Sequence, residues 1–219
     1  MEKSTLKKIR LCAPGIISLV CVLPFLKLHD LKTVSDKIPE GTFLSLLALV
    51  VPVLGVIYYA INIRDLLWRK FVLKCHKNVR VKMIDPFRYD SALRAAIDCM
   101  TDQKVMRVFY NVIDNDRSLS DQQNDVRLNG AVLTTIIDAI LILSLFSVTF
   151  LIAFLITHAS LFLLCTIIAL LLQPLLWFLK GRVSKKHIRY EDEQLEVIKQ
   201  LHSSRVRSLI QDQIKLDIC

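Results

Sequence analysis

The chain has 219 residues, of which 53% are hydrophobic, with a mean hydropathy of +0.46 and a formal net charge of +9. Five glycines and six prolines leave no room for long flexible linkers, and the six cysteines form no C-x-x-C pair and no metal-ligand spacing with histidine. The apolar residues lie in blocks at 11–26, 43–63 and 131–179, so we expect an all-α polytopic membrane protein with a modest soluble part rather than a globular enzyme.

The first apolar block predicts a transmembrane helix. Four basic residues and one acidic residue precede it, and no small-residue cleavage site follows before Lys27, which favours a retained span over a signal peptide. Pro14 and Pro24 suggest that this helix begins and ends close to them. A short, charge-balanced loop over 27–42 then leads to the second span.

The second span is predicted over residues 43–63. Pro52 and Gly55 predict a kink, and Tyr58, Tyr59 and Trp68 occupy the place of an interfacial aromatic belt. Residues 64–82 carry seven basic residues and one acidic residue, and we expect this segment to continue as a helix along or out of the membrane. The positive charge places this end of the span, and with it the amino terminus, in the cytoplasm.

Residues 83–129 predict a small cytoplasmic insert of helices. One helix is expected from Ser91 to about Met100 and another from Thr101–Asp102 to Ile113. Ser120 and Gln123 have the spacing of a capping box, which predicts a third helix that continues into the next span. An insert of this size is too small for a large core, so we expect it to pack on the C-terminal helix or on other copies of itself.

The longest apolar block, 131–179, is twice the length of one span. At about 1.5 Å per residue it would extend roughly 70 Å, so we predict two spans, from about Gly130 to Ile156 and from about Ser160 to Leu179. The polar interruption in FLITHASLFL is then the tight external turn of a hairpin with His158 at its tip. The following KGRVSKKHIR is strongly basic and again cytoplasmic.

The residues from Glu191 to Cys219 predict a single C-terminal helix. Its stripe is apolar at both ends but contains histidine and glutamine, which favours a packing face over a coiled coil. The stripe consists of Leu195, Ile198, His202, Val206, Leu209, Gln213 and Leu216.

Five polar residues within the third and fourth spans are candidate intramembrane sites: Asp138, Thr134, Thr135, Thr149 and Gln173. Asp138 is followed by eighteen uncharged residues, about 27 Å of helix, so we expect it at the inner boundary, in reach of water or a basic residue. A gating or proton-carrying role is the alternative. We expect Gln173 to join helices by hydrogen bonding.

Basic residues form a predicted collar at the cytoplasmic ends of the spans, with anionic lipid as the expected contact. It consists of Arg64, Arg69, Lys70, Lys74, Lys77, Arg80, Lys82, Lys180, Arg182, Lys185, Lys186 and Arg189. Direct nucleic-acid binding is not expected, because no aromatic stacking platform accompanies the charge.

Enzymatic motifs are absent from the sequence, and we expect no catalytic residue, cofactor or metal. Arg182 and His187 have the R-x4-H spacing of HEPN-type ribonucleases, but an arginine near a histidine is common in a basic collar. Asp114, Asp116, Ser118 and Asp125 match an EF-hand loop in part; its sixth position is leucine and its twelfth is aspartate, so helix capping is the simpler interpretation.

The layout of two pairs of spans with helical cytoplasmic elements resembles small prokaryotic membrane proteins of anti-phage systems. The membrane subunit of the Kiwa system is the first candidate for this resemblance, and four-helix pore-forming effectors of nucleotide-signalling defence are the second. The resemblance carries no functional residues across. It implies an oligomeric bacterial inner-membrane anchor or sensor that holds or signals to a cytoplasmic effector. The alternative is a regulated pore that depolarises the membrane.

Overall fold

The computed structural model describes residues 3–28, 40–87 and 90–218, and all regular structure in these ranges is helical. The α-helices are α1 Lys3–Leu28, α2 Glu40–Ile61, α3 Asp65–Ile84, α4 Ser91–Cys99, α5 Asp102–Asp114, α6 Arg117–Thr157, α7 Ser160–Leu201 and α8 Ser203–Ile218, with a 3-10 turn at Asp85–Phe87. The all-α prediction is therefore confirmed. Most of the predicted loop at 27–42 lies outside the described residues.

Three helices within the described ranges are long and apolar enough to cross a membrane. They are α6, α7 and the helix α1 over Lys8–Phe25. A fourth is reached if Val50–Ile61 and Asp65–Met83 are counted as one bent span; their axes differ by 66°. The bend lies at Asn62, whose φ of 55° is left-handed, a conformation that asparagine tolerates better than most residues.

The chain forms two compact units, which are described separately. Unit 1 consists of residues 1–68 and 131–183, and unit 2 of residues 69–130 and 184–219. Helix α6 and helix α7 each contribute residues to both units.

Glycines bring α1 and α2 into close backbone contact in unit 1. A Cβ on Gly15 would lie 2.0 Å from the Val51 carbonyl oxygen, and one on Gly55 would lie 2.1 Å from that of Leu11. Small residues permit such approaches between membrane helices. Helix α2 continues through Pro52 and Gly55 and ends at Ile61, and Gly55 makes room for the α1 backbone.

The prediction that Pro14 and Pro24 delimit the first helix was wrong, because both lie inside α1. A proline within a helix removes the hydrogen bond to the carbonyl four residues earlier. Membrane helices tolerate this loss where another group contacts the freed carbonyl. For Pro14 the freed carbonyl is that of Arg10, which accepts a hydrogen bond from Arg64 Nη2 at 3.3 Å.

The turn between α6 and α7 lies at His158, as the sequence predicted. Helix α6 ends at Thr157 and α7 begins at Ser160, and the exposed His158 has a left-handed φ of 54°. The Thr157 hydroxyl donates to the Ala153 carbonyl and accepts from the Ala159 amide, so it closes the end of α6. Nearby, the rings of Phe25, Phe150 and Phe162 pack together with centroids 4.8 to 6.3 Å apart.

Unit 2 has a hydrophobic core of its own, in which the insert packs on the C-terminal segment. Helices α3 to α5 contribute buried residues such as Val79, Ile97 and Phe109, and α7 and α8 contribute Leu195 and Ile210. Of the predicted stripe, Leu195, Ile198, Val206 and Leu209 lie in or against this core, and the side chain of Leu216 lies outside the described part of the chain.

Two predicted helix boundaries in unit 2 were wrong. The helix entering the third span begins at Arg117, and the Asp116 carboxylate accepts from the Leu119 amide as its cap, so Ser120 and Gln123 lie inside the helix. The C-terminal segment is not one helix from Glu191 either. Helix α7 continues to Leu201, and α8 begins after a break at His202.

His202 has a polar partner that explains its place in the stripe. Its Nε2 lies 2.9 Å from Oδ2 of Asp116, the residue that caps α6. The segment proposed as a partial EF-hand is helical from Arg117 onward, and Asp116 acts as a cap, in line with the capping interpretation.

Candidate functional site: a buried ion pair and an arginine-lined cavity

The predicted intramembrane carboxylate Asp138 is fully paired within unit 1. Arg64 Nε donates to Oδ1 at 2.8 Å and Arg64 Nη2 donates to Oδ2 at 2.7 Å, a two-pronged contact, while the Tyr58 hydroxyl donates to Oδ1 at 3.0 Å. The Asp138 side chain is 1% exposed and that of Arg64 is 12% exposed. Such planar pairing is the strongest arrangement for an arginine and a carboxylate.

The backbone bend after α2 brings Arg64 to this position. Arg64 lies in the short segment between α2 and α3, and the Asn62 amide donates to Asp65 Oδ2 at 2.8 Å across the turn. Tyr58 is buried, unlike its exposed neighbour Tyr59, so the aromatic-belt prediction for Tyr58 was wrong. The sequence indicated that Asp138 could reach a basic residue of the collar, and that residue is Arg64.

A cavity of about 540 Å³ lies beside the ion pair in unit 1. It is lined by Arg10, Leu11, Tyr59, Asn62, Arg64, Asp65, Trp68 and Thr134. Arg10 and Arg64 bring two positive charges, and Asp65 and the Asp138 paired with Arg64 bring two negative charges. Asp138 does not line the cavity, but its contact with Arg64 offsets the charge of that arginine.

The predicted threonines bond to their own helix. The hydroxyls of Thr134 and Thr135 donate to the Ala131 carbonyl at 2.8 and 3.0 Å, and that of Thr149 donates to the Leu145 carbonyl at 3.0 Å. Thr134 is buried and Thr149 is exposed on the outside of unit 1. These hydroxyls therefore do not form a continuous polar lining along α6.

Gln173 joins α7 to α6, as the sequence predicted. Its Nε2 donates to the Ile140 carbonyl at 3.2 Å and to the Ser144 hydroxyl at 2.9 Å. Together with the pair of Arg64 and Asp138, it connects the apolar helices of unit 1 through polar contacts.

The collar residues divide between internal contacts and exposed positions. Arg80 binds Asp102 at 2.5 Å and caps the end of α4 by donating to the Ile97, Asp98 and Met100 carbonyls, and Lys82 pairs with Asp192 at 2.6 Å. Exposed members are Arg69, Lys70, Lys74, Lys77, Arg182, Lys185, Lys186 and Arg189. Several collar residues lie against aromatic rings or an acid: Lys180 on Trp177, Arg182 on Phe178, Lys186 on Tyr190, and Arg189 on Glu193.

A second polar group, in unit 2, was missed by sequence reasoning. Cys75 of α3 and His187 and Glu191 of α7 bring a thiol, an imidazole and a carboxylate within 4.8 Å of one another. His187 and Glu191 have helical i, i+4 spacing, but Cys75 lies more than a hundred residues earlier, so only the fold reveals the group. His187 contacts Asn129 and Glu191.

Comparisons with known proteins identify no relative. No family model matches the chain, and neither the curated proteins nor the solved structures contain a significant match.

Proposed function

We propose that the protein is an oligomeric anchor or sensor of the bacterial inner membrane that holds, or signals to, a cytoplasmic effector protein in antiviral defence. In this proposal unit 1 crosses the bilayer four times with both termini in the cytoplasm. Unit 2 is the cytoplasmic part that the effector contacts. The direction of insertion rests on the basic residues that flank the apolar helices.

The buried and paired state of Asp138 is the observation that favours this proposal over a pore. A conducting or proton-carrying carboxylate must face water or an ion during function. Asp138 instead accepts three hydrogen bonds from Arg64 and Tyr58 and is buried. Its geometry is that of a group that fixes one helix against another.

The size and composition of unit 2 also support a binding role. It has its own apolar core, which is more than a connection between spans requires. Large apolar side chains are exposed on its helices, and they are the positions to test for contact with a partner. They are Leu73, Val81, Tyr110, Leu128 and Leu201.

If the protein is a sensor, the ion pair is the structural element that a stimulus would act on. Arg64 lies at the bend between α2 and α3, and its partner Asp138 lies in α6. Opening the pair would free the bend, and closing it would fix the bend again. A stimulus that separates these charges would therefore act on the segment that ends α2.

Co-expression with the neighbouring genes, mild-detergent purification and native mass determination test the proposal. We expect a homo-oligomer carrying a soluble protein in fixed ratio. Single serine substitutions of the five exposed apolar residues of unit 2 supply matched variants, and at least one should reduce the bound partner without lowering the melting temperature.

Ion flux from proteoliposomes provides the opposing test. We expect no flux above that of empty vesicles, from either the homo-oligomer or the complex. A homo-oligomer without a partner that releases ions would overturn the proposal in favour of the regulated pore.

A further inference from the structure

Cys75, His187 and Glu191 form a cluster of metal-ligand side chains within unit 2. One ligand atom from each residue lies within 4.8 Å of the other two. Cys75 and Glu191 are both 5% exposed, and His187 is half-buried. A thiolate, an imidazole and a carboxylate together are a donor set typical of zinc.

Glu191 carries a buried oxygen without a partner. Its Oε2 accepts no hydrogen bond from the part of the chain that the structure describes. The other carboxylate oxygen, Oε1, lies 3.7 Å from His187 Nε2, and the Cys75 thiol hydrogen-bonds to the carboxyl group. A buried carboxylate oxygen in this state costs free energy unless a cation or donor reaches it.

The environment of Glu191 disfavours its bare anion. Glu191 and Cys75 are each only 5% exposed, so folding has removed most of the water that would solvate their charged forms. Both groups would gain from a cation that replaces the water they have lost.

His187 is oriented by groups outside the cluster. Its Nδ1 lies 3.3 Å from Asn129 Nδ2, and its ring packs edge-on against Phe71 with centroids 5.4 Å apart. Rotating the Asn129 amide by half a turn would present its oxygen to an Nδ1–H, which leaves the Nε2 lone pair directed toward Glu191. A carbonyl on the far nitrogen of a histidine is the usual support for a metal ligand.

We propose that Cys75, His187 and Glu191 bind one Zn²⁺ ion in unit 2. Tetrahedral zinc with bonds of about 2.0–2.3 Å places its ligand atoms roughly 3.3–3.8 Å apart. The separation of His187 Nε2 and Glu191 Oε1 is already 3.7 Å. The Cys75 thiol releases its proton to solvent as the Zn–S bond forms.

Three protein ligands leave the fourth zinc position for water or an added ligand. Cys75 belongs to α3, whereas His187 and Glu191 belong to α7, so the ion would clamp these helices together within unit 2. The inference does not depend on the proposed anchor or sensor function, because metal binding is measured without a partner.

Metal content of the full-length protein tests the inference. The protein is purified in detergent with a reductant, without a polyhistidine tag, exchanged against ZnCl₂ and freed of loose metal by gel filtration. We expect one zinc per chain by mass spectrometry and a higher melting temperature with zinc than after chelation. Cobalt substitution should give a thiolate-to-cobalt charge-transfer band that reports on Cys75.

Variants of the three ligands distinguish this site from adventitious zinc. Loss of a hydrogen bond that supports a metal ligand typically weakens metal binding by roughly 10- to 100-fold, and we expect Asn129→Ala to fall in that range. Cys75→Ser and His187→Gln remove the ligands themselves and should weaken zinc binding by more. Glu191→Gln, which keeps the side-chain volume, should also lose zinc while the helix content stays unchanged.

The matched controls are Cys99→Ser and His76→Gln, which alter a thiol and an imidazole of the same unit outside the cluster. Both should retain the wild-type zinc content. Folded wild-type protein without stoichiometric zinc, or with a cobalt spectrum that lacks the thiolate band, would overturn the inference. Equal zinc in the wild type and Glu191→Gln would overturn it as well.

Discussion

Neutralising Arg64 and Asp138 together should harm the protein less than neutralising either one alone. Asp138→Leu leaves a guanidinium that is 12% exposed without its carboxylate, and Arg64→Met leaves a carboxylate that is 1% exposed without its guanidinium. Breaking a buried pair in this way costs about 3–5 kcal/mol, whereas replacing both charges by apolar groups is often neutral. The double variant still leaves the Tyr58 hydroxyl without its acceptor, a cost of about 1–3 kcal/mol.

Thermal unfolding in detergent, followed by circular dichroism, measures these differences. For a chain of this size, 1 kcal/mol corresponds to about 2–4 °C, so each single variant should melt roughly 6–20 °C below the wild type. The double variant should melt above both single variants. Arg182→Met is the control, because this exposed arginine has no acidic partner within the described residues, and its effect should stay within about 0.5 kcal/mol.

A double variant that melts below both single variants would refute the reasoning, because additive losses mean that the two side chains do not interact. The same result bears on function. Asp138→Leu alone cannot test conduction cleanly, since any change in flux could follow from the unpaired Arg64. The double variant removes both charges and is the correct comparison in the flux experiment.

The remaining predictions concern single contacts in each unit. Gly55→Ala should destabilise the fold by about 1–3 kcal/mol, because the added Cβ would lie 2.1 Å from the Leu11 carbonyl oxygen. Gly181→Ala is the control: its Cβ would have nothing within 4 Å, so the change should be neutral or stabilising by up to about 1 kcal/mol. Melting temperatures measure both effects. Gln173→Leu should cost about 0.6–1.7 kcal/mol through two lost interhelical hydrogen bonds, measured in the same way. The hydrogen bond from the Leu119 backbone amide is the largest cause of the lowered pKa of Asp116. This cap therefore stabilises the fold fully at pH values above about 3.9, the pKa of aspartate in the unfolded chain. Its contribution is lost as the pH falls through the lower pKa that Asp116 has in the folded protein. Asp116→Asn should retain most of the stability at pH 7 and should lack this part of the acid-side decrease in a melting series from pH 7 to pH 3.

A specific result would contradict each of these predictions. Equal melting temperatures for Gly55→Ala and Gly181→Ala would mean that α1 and α2 do not approach as closely as described. Unchanged stability in Gln173→Leu would mean that the hydrogen bonds of Gln173 contribute nothing net to the free energy of unfolding. An acid-side decrease that is the same in Asp116→Asn and the wild type would mean that other carboxylates are responsible.

Much of the helical layout could be predicted from sequence, because it depends on composition over short windows. Long apolar runs indicate spans, and the polar residues around His158 indicate the turn between two of them. Helix boundaries were less predictable. Pro14 and Pro24 favour helix ends by local rules, yet they lie inside α1, where packing on α2 outweighs local preference.

The polar contacts of the candidate site were only partly predictable. Helix length placed Asp138 near the end of a span and so within reach of a basic residue, but twelve collar residues were available as partners. The choice of Arg64 depends on the bend at Asn62, which no local pattern marks. Cys75 and Glu191 are separated by more than a hundred residues, and without aligned relatives nothing in the sequence associates them.

Pro14 has a consequence for engineering this protein. Replacing a proline inside a helix by alanine is a common way to stabilise it, since the missing backbone hydrogen bond is restored. Here the restored amide would compete for the Arg10 carbonyl, to which Arg64 donates its hydrogen bond. A substitution that improves α1 as an isolated helix would thus weaken the surroundings of an arginine fifty residues away, and sequence optimisation helix by helix would select the wrong residue at this position.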